Sequence, residues 1–462
     1  MIPELLFLVP VLTPAPFSVL DQEDDVRSCL ARTGDLDGDG TPELLVASRF
    51  LGKRDVVWVL SGRSGRLVRV LDGEGPGFGH ALANAGDVDG DGREDAIVRS
   101  PESALVFSGA DGRVLHELRS PLPGRGDGFG TAVAGGRDLD GDGHADLVVG
   151  APGQAAVFVY SGRSGRLRYA LRGVGDEVMV LAPAQLSELE ELPSRADSEP
   201  TLGRALALAP DADGDGRAEL LLGGSEGLFL RSGSAGKSLR TFALPDVGGQ
   251  CDSPPYTPWV VGSIGDVDGD GHFDVYATLI TGWAATWSGA TGERLALLDW
   301  NQYYCLGEGA SADACGDLDG DGVPELLVGA NEGPILDSDP GWVTAFSGRT
   351  LEAVRHVDAR TASVPRCTPE HADTFDVCSA GDVDGDGVDD LALYHRPSSS
   401  GVGEPQRPFA ASWLHVVSGV DLSVLVAVDL VELYRQTVEP ERAAPPAPAA
   451  DESDDECELE DD

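Results

Sequence analysis

Nine-residue segments of the form D-x-D-G-D-G-x-x-(D/E) put carboxylates at positions one, three, five and nine. A chain curled round one point turns all four inward. The sequence holds seven such segments. The first carries Asp35, Asp37, Asp39 and Glu43, with Thr41 at position seven. The second carries Asp87, Asp89, Asp91 and Asp95, with Arg93; the third Asp138, Asp140, Asp142 and Asp146, with His144. The fourth carries Asp211, Asp213, Asp215 and Glu219, with Arg217; the fifth Asp266, Asp268, Asp270 and Asp274, with His272. The sixth carries Asp317, Asp319, Asp321 and Glu325, with Val323; the seventh Asp382, Asp384, Asp386 and Asp390, with Val388. Glycines at positions four and six permit the positive φ that so tight a loop requires. With the backbone carbonyl of position seven, each segment offers five or more hard oxygens. That set suits Ca²⁺, which accepts six to eight oxygens in flexible geometry, better than Mg²⁺, which demands a strict octahedron. Four like charges so close repel without a cation. Seven calcium ions would take the formal net charge from -46 to -32. An EF-hand starts in the same way but needs a bidentate Glu at position twelve between two helices. Here position twelve is Val46 in the first segment and Val98 in the second, which excludes it.

The elements that position these loops repeat with them. The steps between first aspartates are 52, 51, 73, 55, 51 and 65 residues. In the same phase runs a Ser-Gly signature, beginning VWVLSGRSGRLVRVL from Val57 and VFVYSGRSGRLRYAL from Val157. Seven acidic loops and seven Ser-Gly turns alternate without a gap. Each repeat reads as four short strands: small residues before the loop (HALANAG, TAVAGG, RALALA), an apolar run after it (ELLVA, DAIVR, DLVVG), and alternating strands on either side of the Ser-Gly turn. Only Pro183–Leu192 hints at a helical period. Seven four-stranded units predict an all-β, seven-bladed propeller of antiparallel blades over residues 19–438, with the acidic loop between strands one and two of each blade. Small residues on the first strand fit an innermost strand at a crowded channel. Each repeat supplies its own four strands, so the last blade can close without strand exchange, with Asp429–Arg435 or Phe17–Leu20 as an added edge.

The 79 acidic against 33 basic residues exclude a nucleic-acid partner, which selects basic surfaces. Residues 1–18 (MIPELLFLVPVLTPAPFS) have the apolar run and small residues of a secretory signal, though no Lys or Arg precedes the run and Glu4 interrupts it. No stretch is long enough to span a membrane. Residues 439–462, rich in Pro and Ala and then acidic, cannot bury apolar surface and are expected to be a disordered tail. Of seven cysteines, Cys305 with Cys315 and Cys367 with Cys378 are spaced to clip long loops if the chain is exported; Cys29, Cys251 and Cys457 have no evident partner.

Phe78-Gly79, Phe129-Gly130 and Gly150-Ala151-Pro152, together with the acidic loops, resemble the FG-GAP repeats of integrin α-subunit propellers and their bacterial relatives. Leu202-Gly203 and Gly329-Ala330 are partial matches. The resemblance covers about Val26 to Val428. It implies a seven-bladed propeller that binds calcium between the first and second strands. All seven loops are kept here, whereas integrins keep only some, and nothing resembles the rest of an integrin subunit.

Acidic loops and Ser-Gly turns must share one face of such a ring, because antiparallel strands turn alternately at its two faces. The long insertions all fall on the other: Gly173–Thr201, Leu244–Trp259, Asp299–Ala310, Asn331–Gly341, Asp358–Asp376 and Tyr394–Ser412. Variable loops on a rigid scaffold are the usual place for recognition. Tyr256, Trp259, Trp283, Trp300, Tyr303, Tyr304 and Trp342 lie in or beside them and suit stacking on sugars or anchoring a protein. Arg125-Gly126-Asp127 spells an adhesion tripeptide in a stretch where Gly and Asp are expected of a turn. No GxSxG, HExxH or phosphate loop occurs, and no catalytic set can be assembled from spacing. The expected role is a monomeric, secreted or cell-surface calcium-binding module for an extracellular protein or carbohydrate. The alternative is a calcium-dependent, lyase-like polysaccharide-acting enzyme on the same scaffold.

Overall fold

The computed structural model describes residues 29–48, 54–73, 75, 77–121, 128–174, 177–186, 202–224, 227–245, 258–279, 283–299, 311–330, 342–358, 373–397 and 412–438. They form seven antiparallel sheets arranged in a ring. Blade one runs Leu30–Arg32, Glu43–Ala47, Val56–Ser61 and Leu67–Asp72, paired in sequence order, and every other blade repeats this order from its own segment. The inner strands are Leu30–Arg32, Leu82–Gly86, Val133–Arg137, Ala205–Ala209, Pro258–Ile264, Ser311–Cys315 and Asp373–Gly381. Each lies against the inner strand of the next blade, and that of blade seven lies against that of blade one. Small side chains here are a packing requirement: a Cβ on Gly135 would come within 2.7 Å of the Ala85 Cα of the neighbouring blade.

Burial follows position in the blade. Glu43–Ala47 and Val56–Ser61 are buried at every residue, because each middle strand is covered on both faces by neighbouring blades. The fourth strand, Leu67–Asp72, is mostly half-buried at the rim. The core is therefore a set of clusters between blades. One joins Leu44, Val46 and Trp58 of blade one to Val98 and Phe107 of blade two and to Tyr394 and Leu414 of blade seven. Phe78 and Phe129 fill such seams. Phe78 is fully buried edge-on to Phe107 at 6.1 Å between centroids, and Phe129 lies 5.9 Å from Phe158.

All seven blades also break register between strands three and four just before the Ser-Gly turn, as at Val59/Leu60 and Val159/Tyr160. Such a bulge bends the strand and frees the turn to fold over the acidic loop. Blade three gains a fifth strand, Glu177–Leu181, at the start of the expected loop Gly173–Thr201. Pro183–Gln185 forms one turn of 3₁₀ helix, and residues 187–192 lie outside the described residues.

The expected edge strand at Asp429–Arg435 is instead the α-helix Leu430–Thr437. Asp429 caps it by accepting the Glu432 N–H at 3.0 Å. Leu430, Val431 and Tyr434 share one buried face, and that helical period prevails over the β-branched content. The helix crosses from blade seven onto blade one. Tyr434 lies edge-on to Trp58 at 6.4 Å, and its hydroxyl donates to the Arg54 carbonyl at 3.0 Å. The Trp58 Nε1–H donates to Thr437 Oγ1 at 3.2 Å. On the inner side, the Cys29 N–H donates to Asp376 Oδ2 at 3.4 Å, and Arg32 reaches Ser379 Oγ at 3.3 Å. The ring thus closes through side chains, with each terminal blade keeping its own strands. Deleting residues 430–438 should lower unfolding stability by ~5 kcal/mol, from three lost buried side chains. A urea denaturation curve of the truncated chain measures this, and an unchanged midpoint would show the helix to be an ornament.

Candidate metal loops

Each acidic loop is held in shape by its own carboxylates. Asp35 accepts the Gly38 N–H at 2.6 Å through Oδ1 and the Gly40 N–H at 2.9 Å through Oδ2. The same pair recurs at Asp87, Asp138, Asp211, Asp266, Asp317 and Asp382. Gly38 and Gly40 have φ of 83° and 88°, which explains both glycines of the motif. At Asp211 the Gly216 N–H is the strongest influence, and with Gly214 it holds the carboxyl below the usual range.

Position nine opens the second strand and is buried in every blade. One oxygen accepts the N–H of position two: Leu36 to Glu43, Val88 to Asp95 at 2.8 Å, Leu139 to Asp146 at 3.0 Å. Burial above all, with Asp37, Asp35 and Asp39 adding to it against the Leu36 N–H, pushes Glu43 up to about 7. Glu325 is likewise pushed up to about 7, and burial lifts Asp95 and Asp146 to about 6. These are carboxylates that resist charge unless a cation arrives.

The geometry gathers the expected ligands, though not evenly. In loop one, oxygens of Asp35, Asp37, Asp39 and Glu43 all lie within 4.8 Å of one another, and in loop six so do those of Asp317, Asp319, Asp321 and Glu325. In loops two, three and four the group is Asp87, Asp89 and Asp95; Asp138, Asp140 and Asp146; and Asp211, Asp213 and Glu219. Asp91, Asp142 and Asp215 stand outside those groups. Two unit charges at 4 Å repel by about 4 kcal/mol at the effective dielectric of a protein surface, so each cluster favours a divalent cation. The donor set fits one: Glu43 and Glu325 each keep one buried oxygen without a hydrogen-bond partner.

At position seven, the N–H of Thr41, Arg93, His144, Arg217, His272, Val323 and Val388 donates to the position-five carboxylate. Some side chains at this position do more than the sequence indicates. Arg93 of loop two donates to the Leu36 carbonyl of loop one, and His144 Nδ1 lies 2.9 Å from the Val88 carbonyl of loop two. A second set of ties joins the third residue of a fourth strand to the turn glycine of the next blade. Arg69 reaches the Gly109 carbonyl at 2.5 Å, His116 that of Gly162 at 2.6 Å, Tyr169 that of Gly233 at 2.6 Å and Arg240 that of Gly289 at 2.6 Å. The shared register could have exposed these ties in the sequence, but the residue types differ and hide it.

Most of the inserted segments, with Tyr256, Trp300, Tyr303, Tyr304 and Arg125-Gly126-Asp127, lie outside the described residues. Trp259 belongs to an inner strand and is buried, with the Arg204 guanidinium 5.8 Å from its ring. Trp283 and Trp342 each begin a third strand and are half-buried. These three are strand residues, because the repeat carries apolar positions through to the strand ends. Leu82, Val133, Arg204, Trp259 and Ser311 line a cavity of about 130 Å³ at the starts of five inner strands. Among the described residues Cys315 and Cys378 are free thiols buried in the seams between blades, and the Cys315 thiol donates to the Glu325 carbonyl at 3.6 Å. Cys305 and Cys367 lie outside the described residues.

Residues 129–166 match the FG-GAP repeat, and residues 35–98 match the FG-GAP-like repeat. Over part of its length the chain is similar to integrin α subunits. It is 29% identical to integrin alpha-PS3 of Drosophila melanogaster over 242 residues, 47% of this chain and 20% of that protein. It is 32% identical to integrin alpha-IIb of Homo sapiens over 154 residues, 27% of this chain and 15% of that protein. It is 38% identical to integrin alpha pat-2 of Caenorhabditis briggsae over 109 residues, 20% of this chain and 9% of that protein. The chain thus spans a fifth or less of these relatives. Among solved structures, BBS1N in complex with ARL6DN, soaked with mercury, superposes at a TM-score of 0.48 with 11% identity, over 81% of this chain and 93% of that one.

Proposed function

We propose, from the premise of an integrin α-like propeller of FG-GAP repeats, that this chain is a calcium-stabilised interaction module acting outside the cell. Its acidic loops hold Ca²⁺ and stiffen one face, and the opposite face binds an extracellular protein or carbohydrate. The observation that carries this reading is the division of labour between faces. In every blade the loop between strands one and two and the turn between strands three and four are short and alike, while every long insertion falls on the other side. Sequence variation concentrated on one face of a fixed scaffold is what a recognition surface requires. The Arg204–Trp259 pair, in the lining of the cavity at the starts of the inner strands, adds a polar and an aromatic group beside those insertions. The integrin relatives favour a protein ligand, and among the described residues no helix is long and apolar enough to cross a membrane. Residues 1–18 would direct export, and residues 439–462 would remain a solvated tail.

When bound, calcium supplies positive charge and a fixed oxygen geometry. The chain's own residues curl the loop, aim the carboxylates and tie loop to turn. The test is immobilised full-length protein in calcium, screened against purified extracellular-matrix proteins and polysaccharides. Binding that survives Arg163→Glu on the Ser-Gly face but is lost when residues 246–257 are replaced by a Gly-Ser linker is the expected result. Binding that maps to the Ser-Gly face would overturn the assignment of faces. Release of unsaturated oligosaccharides from a bound polysaccharide would favour the lyase-like alternative.

A further inference from the structure

The seven loops are built in two ways. In blades two, three, four, five and seven, the second oxygen of the position-nine carboxylate is taken by the glycine of the Ser-Gly turn. The N–H donors are Gly109 to Asp95 at 2.8 Å, Gly162 to Asp146 at 3.0 Å, Gly233 to Glu219 at 3.0 Å, Gly289 to Asp274 at 2.9 Å and Gly419 to Asp390 at 3.1 Å. Both oxygens of that carboxylate then serve the fold. In blades one and six the turn glycine turns elsewhere: Gly62 donates to the Pro42 carbonyl at 3.2 Å and Gly348 to the Pro324 carbonyl at 3.0 Å. Glu43 and Glu325, each 0% exposed, are left with Oε1 lacking a hydrogen-bond partner.

Glutamate alone does not cause this. Glu219 is also a glutamate at position nine, follows Ala218 and is clamped by Gly233. The difference is proline at position eight, present only in loops one and six. Proline fixes φ near −65°, which orients the peptide that follows, and its carbonyl becomes the acceptor for the turn. The freed glutamate oxygen joins three aspartates, and in both loops all four carboxylates have oxygens within 4.8 Å of one another. Loop three lies at the other extreme. The Arg168 guanidinium reaches Asp146 Oδ2 at 2.9 Å and Asp140 Oδ2 at 3.3 Å, so that loop already holds a positive charge.

We propose that blades one and six are the two high-affinity cation sites of the ring, selected by Pro42 and Pro324, and that the remaining loops bind more weakly. This rests on the calcium reading above. A buried acceptor without a partner carries its full desolvation penalty, and a cation in loop one or six removes that penalty as well as the repulsion. In the clamped loops the cation meets a carboxylate whose oxygens are already engaged.

The experiment is calcium titration of the metal-free full-length chain by calorimetry, with bound calcium counted by atomic absorption. Two ions binding at least about tenfold more tightly than the rest are expected. Pro42→Ala and Pro324→Ala should each remove one ion from the tight phase and leave the weaker phase in place. Glu43→Gln and Glu325→Gln should do the same, while raising the melting temperature of the metal-free protein. Equivalent sites in the unaltered chain, or a tight phase unmoved by the proline and glutamine variants, would overturn the partition and leave the calcium reading standing. No bound calcium at millimolar concentration would remove the calcium reading itself.

Discussion

Chelation at pH 7.5 is expected to lower the melting temperature of the full-length chain by about 10 °C or more. An ion present at a hundred times its dissociation constant adds about 2.7 kcal/mol to stability, so two filled sites already contribute ~5 kcal/mol, and a chain of this size gains roughly 2 °C per kcal/mol. The pH dependence identifies the cause. Glu43 and Glu325 rise from an ordinary 4.5 to about 7 in the folded chain, and Asp95 and Asp146 from 3.8 to about 6. A carboxyl whose folded pKa is raised keeps a proton that the unfolded chain has released. Metal-free stability is therefore greatest below about 4 and falls as pH climbs through 6 to 7, by ~3 kcal/mol for each of the two glutamates. Carboxylates held below their ordinary value, such as Asp211 and Asp266, act in the opposite sense but only at lower pH. With calcium the slope reverses, because the ion binds the ionised form. Urea denaturation at pH 5 and pH 7.5, with chelator and with calcium, gives the four values required. Metal-free stability that is flat or rising over that interval would contradict the burial of these carboxylates as described.

Gly162→Ala should cost at least about 3 kcal/mol, more than most single substitutions. A Cβ at Gly162 would stand 1.7 Å from the Ala145 carbonyl oxygen, and equivalents at Gly109 and Gly289 would stand 1.9 and 1.8 Å from those of Glu94 and Phe273. In each case the obstacle is backbone at the start of strand two, which cannot move aside without disturbing the buried position-nine carboxylate. Gly143→Ala is the control. Gly143 has φ of +88° with nothing within 4 Å of a Cβ, so only a left-handed penalty of about 1–2 kcal/mol applies. Urea midpoints of the two variants in saturating calcium separate the effects. Equal losses would mean that the turn glycine is present for its conformation and not for the approach of two backbones.

The second case marks where reading the sequence stops. The Ser-Gly signature announces a turn seven times, and its phase against the acidic loops fixes the number of blades. Segments such as Glu43–Ala47 could be bounded by eye, because the loop carboxylate and the apolar run are contiguous. The glycines at positions four and six could be assigned positive φ from the tightness of the loop alone. The turn glycine could not be explained in this way, since the atom that demands it belongs to a peptide 17 residues earlier, Ala145 against Gly162. Asp429–Arg435 is expected as an added edge and folds as a helix for a related reason. Its Leu430, Val431 and Leu433 suit a strand, and only the seam beside Trp58, some 380 residues away, shows why one helical face is wanted.

What the sequence determined by itself is therefore the repeating unit: seven loops, the carboxylates in each, four strands per blade and the face that carries the insertions. These are properties of contiguous residues, and a period makes them visible. Tertiary structure decided which oxygen of Glu43, Asp95 or Glu219 meets which N–H, how blades one and seven are latched, and how Arg69, His116, Tyr169 and Arg240 bind blades one to four each to the next. Those outcomes depend on backbones brought within hydrogen-bonding distance by closure of the ring. Residue types that differ from blade to blade can satisfy the same carbonyl, so no pattern along the chain records them.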